Sequence, residues 1–364
     1  MPDSPPSNEP PKLACPRCGR ELERMVVTSE GVLIGCVECA GRRFPTGPVL
    51  SREEWAATHA VGDALAAFGL HEPVAAKAPQ RGDLQPRAHI WVVRADASSF
   101  VLKRYHPWLA HTAIHYEHSV LAHLAAQHLP VAAPVAINGG TMWTDGAGVR
   151  WALFAALPGA PLAEADWMWH VSQAAATLAA LHRALQGFTP DGAPHPPWER
   201  WTLERLDAAL AQWPALPDLT PALVTAARQR LAERYFTDAL LELPPTVVHG
   251  DFSSTNVLWV GDRVSGVVDF ERAHGDAAIV DFGAGIVSYH PPQLRAAVAA
   301  YHHARPLTGK ERELLPEALL LGALLGIDAQ VTVYHDETEA NRRAQTLSAM
   351  LRNAEALRRA AAPR

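Results

Sequence analysis

His249-Gly250-Asp251-Phe252-Ser253-Ser254-Thr255-Asn256-Val257-Leu258-Trp259, continued by Gly266-Val267-Val268-Asp269-Phe270, decides how this chain folds. Ahead of it, Thr246-Val247-Val248 is a β-branched run that reads as a buried strand. The run breaks at His249-Gly250, where glycine permits a tight backbone. From Asn256 to Val260 the sequence is apolar again, Gly261-Asp262 signals a turn, and Val264 to Val268 resumes the strand pattern. Asn256 therefore opens one arm of a hairpin and Asp269 closes the other, which brings both side chains to one end. Asp251 sits at the end of the preceding strand.

An amide oxygen beside a carboxylate offers hard oxygen ligands, suited to a Mg²⁺ ion that also holds phosphate oxygens. Asp251 is placed to accept a hydroxyl proton or to orient the hydroxyl. Its spacing to Asn256 is that of the kinase catalytic loop, His-Arg-Asp, four residues, then Asn. Here Gly250 stands in the arginine's place, and the second acid reads Asp269-Phe270-Glu271 rather than Asp-Phe-Gly. Asp281-Phe282-Gly283 has that tripeptide but lies too far from Asn256. These departures lead away from protein kinases.

Carried by His249-Gly250-Asp251, Asn256 and Val267-Val268-Asp269-Phe270, the stretch resembles the aminoglycoside phosphotransferase family, in the wider group with choline kinases and type II homoserine kinases. The resemblance implies ATP as phosphate donor, Asp251 as catalytic base, and Asn256 and Asp269 as Mg²⁺ ligands. It implies that His249 braces the loop, that Asp281 ties the loop to a helical lobe, and that Asp276 is the acid before it. The segment Gly275 to Asp281 lacks the family's usual proline and is one residue longer. The likeness runs from about Glu72 to the C-terminal end, specific at the catalytic loop and diffuse elsewhere.

Such chemistry needs a lysine to grip phosphate, and only Lys12, Lys77, Lys103 and Lys310 are present. Lys103 lies in Phe100-Val101-Leu102-Lys103-Arg104-Tyr105, a strand by pattern, sharing a face with Val101 and Tyr105. In the helix expected from Thr112 to Gln127, the residues Ala113, Ile114, Val120, Leu121 and Leu124 form an apolar stripe. Glu117 falls on that stripe. A carboxylate there needs a partner, and Lys103 is the expected one, matching the strand-lysine to helix-glutamate pair of the kinase fold. The phosphate-covering loop is expected between Gln80 and Arg87, without a glycine-rich fingerprint.

Near the N-terminus, Cys15-Pro16-Arg17-Cys18 and Cys36-Val37-Glu38-Cys39 form two C-x₂-C knuckles. Their spacing is that of a zinc site, and four thiolates predict a closed, structural Zn²⁺ rather than a catalytic one. Arg24 to Ser29 and Val32 to Ile34 read as hairpin arms between the knuckles. The segment resembles a TFIIB-type zinc ribbon. Its arginines are offset by Glu21, Glu23, Glu30 and Glu38, so a stabilising or protein-docking role is favoured over nucleic-acid binding.

The 364 residues carry a net charge of −6, which does not suggest a general nucleic-acid binder. No signal peptide precedes the cysteines, so a cytoplasmic protein is expected. The apolar run Ala318 to Ile327 is polar-flanked and too short to span a membrane. The predicted organisation is a Pro-rich tail (1–12), the ribbon (13–48), a connecting helix (49–71), a kinase-like N-lobe (72–156) and a helical C-lobe (157–364). The last would hold the catalytic loop 249–256 and the metal-binding hairpin 256–271. The fold class is thus α+β, a two-lobed protein-kinase-like fold behind a small ribbon. The expected partners are ATP and a small-molecule hydroxyl acceptor; Trp167, Trp169 and Trp201 are candidates to line its pocket, with core packing the favoured reading of each. Two other readings stay open: a catalytically inactive kinase-fold module recruited through the ribbon, and a protein kinase.

Overall fold

The computed structural model describes residues 26–28, 31–33, 52–70, 75–77, 89–95, 98–137, 139–162, 164–195, 200–285, 291–352 and 359. They divide into two compact units, one within residues 1–108 and 134–156, the other within 109–133 and 157–364.

The first unit contains strands β1 (Val26–Thr28), β2 (Gly31–Leu33), β3 (Ala75–Lys77), β4 (His89–Ala95), β5 (Ser98–Arg104), β6 (Trp143–Thr144) and β7 (Arg150–Ala155), with helix α1 (Arg52–Ala67). They form one sheet in the order β1-β2-β3-β4-β5-β7-β6, antiparallel at every pairing. Val61, Ala64, Leu65 and Phe68 recur at helical spacing on and just past α1 and bury one stripe. Against it lie Trp91 and Val93 of β4, Leu102 of β5, and Trp151 and Leu153 of β7, each set two residues apart and so on one face. Burying a leucine such as Leu102 contributes about 2 kcal/mol. Period two turns Lys103 to the opposite face of β5. The hairpin expected between the cysteine pairs is present as β1 and β2, and β2 continues the sheet through Val32↔Ala76 and Leu33↔Ala75.

The second unit is mainly helical. Its helices are α2 (His111–Ala126), α3 (Glu164–Leu185), α4 (Leu203–Leu210), α5 (Pro221–Arg234), α6 (Asp238–Leu241), α7 (Ala278–Gly285), α8 (Pro291–Ala304), α9 (Gly309–Ala329) and α10 (Glu337–Arg352). Its strands are β8 (Ala160–Pro161), β9 (Pro245–Val248), β10 (Val257–Val260), β11 (Arg263–Val267) and β12 (His274–Ala277), joined as β11-β10-β8 and β12-β9. Caps set the helix starts. The Thr220 hydroxyl accepts from the Leu223 amide ahead of Pro221, and Thr308 with Glu311 forms a capping box at α9.

Helix α3 packs on α8, and α9 packs on both α7 and α10. A Cβ at Gly283 of α7 would lie 2.6 Å from the Ala318 backbone, so only glycine lets α7 approach α9 this closely. Helix α9 with the turn that follows, Gly309–Thr332, is long and apolar enough to cross a membrane, and 67% of its apolar window is buried in the protein. That burial is the signature of a core helix.

Candidate active site

Strand β9 delivers the loop that follows it. Thr246, Val247 and Val248 are buried, pair with β12, and hand the chain to His249, itself 2% exposed. Gly250 turns the backbone at φ +78°, and a Cβ there would stand 2.3 Å from the Arg272 carbonyl oxygen. No side chain fits that position.

Strands β10 and β11 pair antiparallel as expected, with a bulge between Leu258 and Trp259. The Val268 amide donates to the Asn256 carbonyl at 2.9 Å, so the two arms are joined beside the residues read as metal ligands. The Asn256 side-chain amide donates to the Asp251 carbonyl at 2.8 Å. That contact fixes the orientation of the amide and leaves its oxygen as the atom available to a cation. Asp269 adopts the left-handed region, φ 67° and ψ 60°, at the start of a single 3₁₀ turn, Phe270–Arg272. Such strain in a non-glycine residue costs about 1–3 kcal/mol and collects at functional sites.

His249 joins the loop to the hairpin. Its Nδ1 accepts from the Asp251 amide at 3.2 Å, so Nε2 carries the proton and donates to the Val268 carbonyl at 2.9 Å. Asp281, on α7, braces the loop from beneath: Oδ2 accepts from the His249 amide at 2.8 Å and Oδ1 from the Gly250 amide at 3.0 Å. The Asp281 carboxylate also contacts His182 Nε2 of α3 at 3.1 Å, and His182 Nδ1 meets the Tyr301 hydroxyl of α8 at 2.6 Å. Burial pushes the Asp281 carboxyl up, but the bond and charge of His182 and the His249 contacts outweigh it and hold the group below its ordinary value.

The Asp251 side chain keeps 32% of its surface exposed. Loss of water around it raises its carboxyl above the ordinary value. Arg272, with Nη1 3.8 Å from Asp251 Oδ2, opposes that rise, while the negative charge of Asp269 adds to it.

Lys103 is 6% exposed and holds its ammonium 4.7 Å from the Tyr105 ring, the neighbour expected on its strand face. Glu117 is 3% exposed among the apolar residues of α2. Lys103 belongs to the first unit and Glu117 to the second. Helix α2 is tied within its own unit: the Ala193 amide donates to the Thr112 carbonyl at 3.2 Å, and the Asp191 amide to the Ser119 hydroxyl at 3.0 Å.

Asp276 is buried on β12, where the Arg200 guanidinium donates to Oδ1 at 2.7 Å. Its carboxyl is pushed up by burial against the lowering effect of Arg200. Arg272, His182, Tyr301, Arg200 and His274 were not singled out as site residues by sequence. Of these, only His182 left a hint, a polar residue within an Ala/Leu helix. The Arg205 guanidinium lies 4.3 Å from the Trp201 ring. Cys15, Cys18, Cys36, Cys39, the segment Gln80 to Arg87, and the side chains of Trp167 and Trp169 lie outside the described residues. Among the described residues no group of three or more His, Cys, Asp or Glu is arranged to hold a metal ion.

The phosphotransferase enzyme (APH) family matches residues 84–315. The chain is 30% identical over 213 residues to homoserine kinase of Methylobacillus flagellatus, covering 56% of this chain and 64% of that enzyme, a little under two thirds of its length. It is 30% identical over 248 residues to homoserine kinase of Methylobacterium nodulans, covering 63% of this chain and 72% of that enzyme. In fold it is similar to a microcompartment-associated aminopropanol kinase, with TM-score 0.59 at 16% identity, covering 81% of this chain and 96% of that one.

Proposed function

The chain belongs to the phosphotransferase enzyme family, and on that premise we propose that it transfers the γ-phosphate of ATP to a hydroxyl of a small molecule. One observation carries the reading. His249 and Asp281 brace the loop that carries Asp251, the Asn256 amide bonds the Asp251 carbonyl, and the half-buried Asp251 side chain stays partly open to solvent, which supports the reading.

In this proposal Asp251 accepts the hydroxyl proton, or orients the hydroxyl, as the phosphate leaves ATP. Asn256 and Asp269 are the residues that would hold Mg²⁺, and their hard oxygen atoms suit that ion. When bound, the ion would neutralise charge on the phosphate oxygens. Lys103 is the residue proposed to position phosphate. Catalysis on this account comes from positioning and charge stabilisation. Homoserine heads the candidate acceptors because the similar enzymes of M. flagellatus and M. nodulans are homoserine kinases. The protein is expected in the cytoplasm.

Cys15, Cys18, Cys36 and Cys39 are proposed to hold one structural Zn²⁺. The spacing supports this, together with the β1–β2 hairpin between the two pairs. The ribbon would then extend the sheet edge and offer a surface for a protein partner. Metal analysis of purified protein should find about one zinc per chain.

The test of the main reading is ADP release with Mg²⁺-ATP across homoserine, amino alcohols, choline, sugars and aminoglycosides. Acceptor-dependent ADP release with at least one of them is expected. No turnover with any acceptor, together with no thermal stabilisation by Mg²⁺-ATP, would overturn it.

A further inference from the structure

Behind the catalytic loop, β12 and the loop before α4 bury a cluster that the proposed reaction leaves unused. Asp276, His274, Thr246 and Tyr235 are all at least nine-tenths buried, and Arg200 pairs with Asp276 at 2.7 Å. Thr246 is the cross-strand partner of Asp276. His274 stands between two acceptors. Its Nδ1 is 2.8 Å from the Arg272 carbonyl oxygen, and its Nε2 faces Asp276 Oδ2 at 3.9 Å. A carbonyl only accepts, so the Nδ1 proton donates to Arg272.

The Arg272 carbonyl it holds is the same one that packs 2.3 Å from where a Gly250 Cβ would be. The Arg272 guanidinium is the cation beside Asp251. A chain of contacts therefore runs from Arg200 through Asp276 and His274 to the backbone of Arg272, and from its side chain to the base.

We propose that His274 is a positioning residue for phosphate transfer: by donating from Nδ1 to the Arg272 carbonyl, it sets the short 270–272 turn so that the arginine stays against Asp251. The Asp276 carboxylate, paired with Arg200, lies on the far side of the ring, 3.9 Å from Nε2. The role rests on the phosphotransfer reading given above. His274 touches no reacting atom and acts only through Arg272.

Two conservative variants separate this role from simple core packing. Asparagine places an amide nitrogen near the position of Nδ1, whereas glutamine carries its amide out toward Nε2. His274→Asn should keep kcat within about threefold of the wild type. His274→Gln should lower kcat by about tenfold or more with KM for ATP unchanged. Equal kcat in the two variants, whether near wild type or equally impaired, would overturn the proposal. Should the wild type transfer phosphate to no acceptor, the functional reading fails separately. Crystal structures of the two variants then decide. The Arg272–Asp251 contact kept in His274→Asn and lost in His274→Gln supports the role, and the contact kept in both, or lost in both, refutes it.

Discussion

Asp281 Oδ2 accepts a hydrogen bond from the His249 backbone amide at 2.8 Å, and the same carboxylate takes the next amide, Gly250, on its other oxygen. With His182 as a third neighbour, the group is surrounded by donors. Both oxygens of the acid in the Asp281-Phe282-Gly283 tripeptide are thus engaged by donors at the base of the loop.

Asp281→Asn keeps the shape but turns an amide N–H toward one of those donors. Leaving a buried donor unsatisfied costs about 1–3 kcal/mol. The melting temperature should fall by roughly 2–10 °C, and turnover should fall with it. Differential scanning fluorimetry and the ADP assay measure both. An unchanged melting point would show that the brace contributes nothing.

Asp251→Asn removes the carboxylate proposed as the base and keeps the loop, since the hydrogen bonds at this residue run through its backbone amide and carbonyl. Phosphate transfer should drop by at least about two orders of magnitude. Stabilisation by Mg²⁺-ATP should persist, because a ligand that binds the folded state raises its stability by mass action. Near wild-type turnover in this variant would sink the assignment of the base.

The two acids respond to pH with opposite signs. Asp251 is raised above its ordinary value by burial, with Asp269 adding and Arg272 subtracting. The acid limb of kcat/KM should therefore lie above 3.8, the ordinary value for the group. Arg272→Gln should move that limb to still higher pH. Because its folded value is raised, Asp251 costs stability as pH climbs from the unfolded value through the folded one. Asp281 is lowered, so the stability it contributes is present above its unfolded value and is lost as pH falls through its folded value. A pH–rate profile of wild type and Arg272→Gln checks the first statement. A limb that shifts downward or stays put contradicts the charge argument.

The loop and hairpin that carry Asp251, Asn256 and Asp269 were legible because a β-branched run, a glycine turn and a resumed strand pattern are local signals. The strands around the loop announced themselves through β-branched runs and the Gly261-Asp262 turn, and the helix carrying Glu117 through its apolar stripe. The brace was legible only through resemblance, and its depth was not. His182 is 99 residues from Asp281 and 119 from Tyr301. Arg200 is 76 residues from Asp276. Such pairs are chosen by helix packing, which a single sequence does not encode at any fixed offset. Glu117 stood out because a carboxylate on an apolar stripe is costly, and its burial follows from that position. Arg272 gave no signal, since an arginine after a turn reads as an ordinary surface residue.

Gly250 first served to set this chain apart from protein kinases, and the structure supplies its physical reason. At φ +78° an L side chain is strained by about 1–3 kcal/mol. A Cβ would also meet the Arg272 carbonyl oxygen at 2.3 Å, which requires the backbone to shift. Gly261, at φ +56° in the hairpin turn, has nothing within 4 Å of its would-be Cβ. Gly261→Ala should thus show only the conformational cost, with turnover intact. Gly250→Ala should be the less stable of the two and should lose kcat by about tenfold or more, because the displaced carbonyl belongs to the arginine beside the base. Comparing the pair by thermal unfolding and steady-state kinetics isolates the steric contribution. Equal stability and equal turnover in the two variants would show that the Gly250–Arg272 contact places no constraint on the catalytic loop.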